Sequence, residues 1–151
     1  MDSRRGFGAV CEAGVEEAPR RLRGEAVVGQ IAAAMFLAPL FVVIVLWTLR
    51  YWALEILLLP FALLELAVLL LAYAAAAAAV VKTWYLLDWP PRRKIVFYGA
   101  ASAAIAAATV AACPLFQLLP PPAWYGPGLA AVFFAHGVLI ALLMHFIEEL
   151  Y

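Results

Sequence analysis

From Ala26 to Tyr85 the chain runs almost without a break through apolar residues, and no single membrane helix can hold a run of that length. A span takes roughly 20 residues at about 1.5 Å each, so the segment must fold back on itself. Between Ala26 and Val81 the only basic residue is Arg50, flanked by Trp47, Tyr51 and Trp52. Aromatic rings beside a cation mark the membrane–water boundary. A tight reversal is therefore expected at Arg50, although no glycine or proline signals it. The two resulting spans cover residues 26–49 and 53–81.

The next boundary is explicit. "KTWYLLDWPPRRK" (Lys82–Lys94) combines charge, interfacial aromatics and a Pro-Pro pair. A third span follows over 95–118. The uncharged loop "LPPPAWYGPG", whose triproline favours an extended conformation, leads into a fourth span over 128–147. Pro127 suits the start of that helix. Residues 1–25 carry half of the charged side chains and are expected to be a disordered, polar cytosolic segment, with 26–151 as the transmembrane domain. The first apolar run starts too late, and is too long, for a cleaved signal peptide.

Composition supports the membrane class: 68% of the residues are hydrophobic and 13% charged, where a soluble domain carries about a quarter. Formal net charge is zero, which gives no sign of a nucleic-acid partner. The placement of the cations says more. Five lie before the first span (Arg4, Arg5, Arg20, Arg21, Arg23) and four in the second loop (Lys82, Arg92, Arg93, Lys94). With four spans these share one side, and Arg50 alone lies opposite. Basic residues stay cytosolic, so both termini are expected there. The fold class is all-α: a polytopic four-transmembrane-helix bundle in a secretory-pathway or plasma membrane. The chain has no asparagine, hence no N-glycosylation site. Cys11 and Cys113 fall in different environments, so no disulfide is expected between them. Cys11 is also too far from the membrane to favour lipidation.

Small residues let membrane helices approach closely. The alanines at 74–79 and in "GAASAAIAAATVAA" (Gly99–Ala112) predict a close hairpin of spans two and three. Pro39, Pro60 and Pro114 are expected inside spans one, two and three, bending each.

One acid stands in the middle of "LLPFALLELAVLLLAYAAAAAAVV" (Leu58–Val81): Glu65. It is expected about 15 Å from the outer end of its span at 1.5 Å per residue. Helical spacing groups it with Ala62, Leu69, Ala72 and Ala76, a face of small residues suited to the bundle interior. Exposure of a carboxylate to lipid costs on the order of 3 kcal/mol or more, so an inward-facing, neutral acid is the simplest expectation. His136 lies at similar depth in span four and is its expected partner. The pair reads either as structural glue or as a proton- or cation-linked site.

Other polar residues carry less. Glu55 could offset Arg50, and His145 stands at helical spacing from Glu148 and Glu149 on a solvated face. Trp84, Tyr85 and Trp89 could sit at headgroup level, with Arg92, Arg93 and Lys94 as a lipid-facing basic cluster; topology alone would also explain those charges. Ser102 has no evident base. No metal-ligand spacing, nucleophile motif or Gly-rich phosphate loop appears, so neither an enzyme nor a cofactor is expected.

The layout resembles MARVEL-domain proteins, the small tetraspan group linked to membrane apposition and vesicle traffic. "GLAAVFFAHGVLIALLMHF" (Gly128–Phe146) is similar to the start of that family's final helix, and "DWPPRRKIVFYGAASAA" is similar to the approach to its third. Claudin-type tetraspans fit less well, because no long first outer loop with paired cysteines exists. The resemblance implies a non-enzymatic role in membrane organisation or cargo traffic and transfers no site residue. The expected partners are the lipid bilayer and other membrane proteins or a second copy. A small transporter or proton-coupled subunit using Glu65 and His136 is the alternative.

Overall fold

The structure, a computed structural model, describes residues 5–52 and 56–151, with side chains from residue 23 onward. Helix α1 is Arg5–Tyr51, α2 is Leu59–Thr83, α3 is Pro91–Ala112, α4 is the single turn Pro114–Leu118, and α5 is Tyr125–Leu150. Short 3₁₀ turns, Ile56–Leu58 and Trp84–Leu86, flank α2. No strand occurs among the described residues. Four helical stretches are long and apolar enough to cross a membrane: Arg23–Tyr51, Ile56–Leu86, Pro91–Ala112 and Tyr125–Leu150. Helical backbone begins at Arg5, within the segment expected to be disordered. Residues Met1–Ala34 form one compact unit and Met35–Tyr151 a second, which holds every side chain discussed below.

Prolines set three helix boundaries. Pro60 lies inside the second span but in the first turn of α2, where its missing N–H removes no helical bond and it need not bend the helix. Pro91 opens α3 behind an extended Pro90. Pro114 ends α3 instead of bending it: the residue before a proline is driven out of the helical region, and Cys113 has φ −76° and ψ 122°. The third span therefore stops at Ala112, short of the expected residue 118. Pro39 alone of the three expected bends lies within a continuous helix.

The core of the second unit has two parts. One gathers Val43 of α1, Leu69 and Tyr73 of α2, Phe116 of α4, and Tyr125, Leu129 and Phe133 of α5. The other joins Val80, Trp84, Tyr98, Ile140 and Met144 toward the α2–α3 turn. Leu37, Phe41 and Leu49 on α1 and Leu63 and Leu71 on α2 stay exposed, as helices facing lipid require.

The closest helix pair is α3 with α5, not the expected α2 with α3. The physical cause is glycine. A Cβ on Gly137 would collide with the Tyr98 carbonyl and the Ser102 hydroxyl, and would stand 2.9 Å from Ser102 Cβ. One on Gly99 would lie 2.8 Å from Val138 Cγ2. The α2 alanines do not make this contact: Ala74, Ala75, Ala78 and Ala79 are exposed, and of the run only Ala76 is buried. Alanine permits close approach, but only a missing Cβ leaves room for contact as tight as that of Gly137 with the Tyr98 carbonyl.

This packing makes a prediction. Gly137→Ala should lower stability in detergent by about 1–3 kcal/mol, the usual range for overpacking. Ala78→Leu, on the exposed face, should stay within about 0.5 kcal/mol of wild type. Equilibrium unfolding by denaturing detergent measures both, and equal stability of the two variants would contradict the close α3–α5 crossing.

Candidate functional site

Glu65 lies nine residues beyond the start of the span Ile56–Leu86, close to the depth expected from the sequence, and six beyond the first residue of α2. Its expected face is buried: Ala62, Leu69 and Ala76 point inward beside it, and Glu65 itself is 1% exposed. There it meets Arg50 from the last turn of α1, with Nη1 3.1 Å from Oε1 and both side chains almost fully enclosed. That contact is an ion pair without the alignment of a hydrogen bond.

Further donors complete the arrangement. The Tyr125 hydroxyl donates to Oε1 at 2.8 Å, and the Tyr51 hydroxyl donates to Oε2. Arg50 Nη2 donates to the Leu119 carbonyl at 2.6 Å, in the segment between α4 and α5. The guanidinium carbon stands 5.2, 5.1 and 4.9 Å from the ring centres of Tyr51, Phe116 and Tyr125, all within cation–π range. The polar groups bonded to Glu65 are a cation and two hydroxyl donors, so both of its oxygens act as acceptors. Trp47 Nε1 donates to the Ala62 carbonyl at 2.8 Å and ties α1 to α2 one turn away. Glu55, the other acid considered for Arg50, lies outside the described residues.

His136 is not part of this site. The expected Glu65–His136 pair does not form, because Glu65 is taken up by Arg50, Tyr51 and Tyr125. His136 lies instead among Phe36, Tyr73 and Phe133, stacked on Tyr73 with ring centres 3.7 Å apart and an interplanar angle of 23°. Phe36 meets the imidazole edge-on at 5.8 Å. The imidazole is fully buried; the Tyr73 backbone approaches it, but neither ring nitrogen makes a well-aligned hydrogen bond. Tyr73 donates its hydroxyl to the Phe36 carbonyl of α1.

At the far end of α2, Lys94 leaves the expected lipid-facing cluster. It is 9% exposed, donates from Nζ to the Trp84 carbonyl at 3.3 Å, and stands 4.8 Å over the Trp84 ring. Trp84 is fully buried inside the protein, stacks on Tyr98, and donates from Nε1 to Glu148 Oε2 at 3.0 Å. Tyr85, Trp89, Arg92 and Arg93 remain exposed. His145 pairs with Glu149 one turn on, Nε2 to Oε1 3.4 Å. No cluster of three potential metal ligands occurs among the described residues.

Sequence reading found Glu65 and Arg50 separately but missed the bond between them, and it missed Tyr125 and Leu119 as participants. One signal was available: the span interiors hold a single acid, and the only opposite charge on its side of the membrane is Arg50. Comparison with family models, with curated proteins and with solved structures finds no match to the chain.

Removing one member of a buried pair leaves an uncompensated charge and costs about 3–5 kcal/mol, whereas replacing both often costs little. Glu65→Gln should therefore lose most of the folded protein, and Arg50→Gln/Glu65→Gln should recover a large part of it. Size-exclusion profiles and unfolding midpoints of the four cycle members check this. A double variant no better than the sum of the singles would exclude the pairing.

Proposed function

We propose that the chain is a non-enzymatic, multi-pass membrane protein of MARVEL-like tetraspan type that organises membrane or traffic, or serves as an accessory subunit to other membrane proteins. It resides in a secretory-pathway or plasma membrane with both termini in the cytosol. The observation that carries this reading is the closed Arg50–Glu65 network. The one acid available for a transport site is 1% exposed and is held by an arginine and two tyrosine hydroxyls. Its bonding capacity goes into joining α1, α2 and α5. Such a use favours a scaffold over a site that must bind and release an ion.

Charge placement supports the orientation. Five cations lie before the apolar part of the first span and four flank the turn between α2 and α3, whereas Arg50 on the other side is matched by Glu65.

A small transporter or proton-coupled subunit is the second reading, and one observation favours it: His136 is buried with two ring nitrogens lacking well-aligned hydrogen bonds. Intramembrane ionisable groups are often functional. On this reading His136 acts without Glu65.

Two measurements separate the readings. Tags at each end of the full chain should be accessible only after the plasma membrane is permeabilised, and a C-terminal tag on the outside would refute the proposed topology. Proteoliposomes holding a pH-sensitive dye should show proton flux no greater than empty vesicles. A flux above that level, lost in His136→Phe, would replace the organiser with the transporter.

A further inference from the structure

The turn between α2 and α3 is fastened from within and charged from without. Trp84 anchors it: the indole is fully buried, stacks on Tyr98 and donates to Glu148, and its carbonyl accepts from Lys94. The backbone beyond it is extended at Leu87 and at Pro90, so α3 starts afresh at Pro91. On the outside the turn presents Tyr85 (67% exposed), Leu86 (78%) and Trp89 (45%) beside the exposed cations Lys82, Arg92 and Arg93.

These cations are poorly compensated by the protein. The ion pairs among the described residues are Arg50–Glu65 and His145–Glu149, so neither Arg92 nor Arg93 has one. Asp88 lies in the same turn, also exposed and also without an ion pair. Glu148 accepts from Trp84. The first turn of α3 contains no acid. Cations at a helix N-terminus face the positive end of its dipole, which raises their demand for an external anion. The exposed rings and Leu86 follow directly on an apolar helix, which sets the turn at headgroup depth.

We propose that this turn is a docking surface for the phosphate-bearing headgroups of anionic phospholipids in the surrounding leaflet. Arg92 and Arg93 supply planar, bidentate contacts to phosphate oxygens. Tyr85, Leu86 and Trp89 seat against the upper acyl chains, and Lys94 takes no part because its ammonium lies over Trp84. The inference does not depend on which leaflet holds the turn, so it stands or falls separately from the proposed topology and from the organiser reading.

The test is native mass spectrometry of the full chain released from nanodiscs holding phosphatidylglycerol and phosphatidylcholine in equal amounts. The wild type should retain phosphatidylglycerol over phosphatidylcholine by on the order of tenfold at low salt, given the affinity each basic residue adds near an anionic surface. Arg92→Gln/Arg93→Gln, altered only at exposed positions, should fall toward parity. Raising the salt should weaken the wild-type preference, since exposed charges are screened. Equal retention of both lipids by the wild type would overturn the proposal without any variant. So would an undiminished preference in the double variant, or displacement of the retained lipid by millimolar inorganic phosphate, which would identify a free-phosphate site instead.

Discussion

A carboxylate inside hydrocarbon must find a cation or surrender its charge, and the Arg50–Glu65 pair is how this chain meets that constraint. Desolvating two ions is expensive, and their attraction repays it only when the remaining lone pairs and protons are also satisfied. Here Tyr51 and Tyr125 supply the carboxylate and the Leu119 carbonyl supplies the guanidinium. The partners come from the end of α1, the first turns of α2, the segment before α5 and the start of α5. One charge pair thus fixes four pieces of chain that hydrophobic association alone would leave free to slide, because lipid is as apolar as the helices.

The opposite end of α2 solves a similar problem differently. Lys94 has no carboxylate partner; its ammonium donates to a carbonyl and lies over the Trp84 indole. A ring face and a carbonyl dipole are weaker counterparts than a carboxylate, and Lys94 retains slight exposure at 9%, where Glu65 has 1%. Between the two ends, the Tyr73 hydroxyl donates to the Phe36 carbonyl.

The sequence made the four apolar helices legible because length and hydropathy leave little choice in a bilayer. The inward face of Glu65 was legible for the same reason, since helical spacing sets it among small residues. The identity of its partner was not. Matching depths suggested His136, but depth does not choose between partners: Arg50, Tyr51 and Tyr125 take up the carboxylate, and His136 lies against Tyr73 and Phe36. The α3–α5 crossing was obscured by composition: six consecutive alanines drew notice, whereas the decisive positions are Gly99 and Gly137, each opposite atoms that leave no room for a Cβ. Lys94 was grouped with Arg92 and Arg93 by adjacency, but neighbouring positions on a helix differ by about 100°, so two can face outward while the third turns in.

His136 bears most directly on whether the interior is only a scaffold. A neutral imidazole has one donor and one acceptor, and leaving such groups unpaired in a dry interior costs about 1–3 kcal/mol. Stacking on Tyr73 and the edge of Phe36 recover part of that through ring quadrupoles. A purely structural position would be filled more favourably by phenylalanine, which stacks equally well and has no polar atom to satisfy. Glu65 differs, because the polar groups bonded to it answer its charge. The two intramembrane ionisable residues thus stand at opposite limits. One is compensated so completely that changing it should break the protein; the other is so little compensated that replacing it with phenylalanine should strengthen the fold. A residue whose removal stabilises the protein is held by something other than stability, and that measurement on His136 would weigh against a scaffold alone.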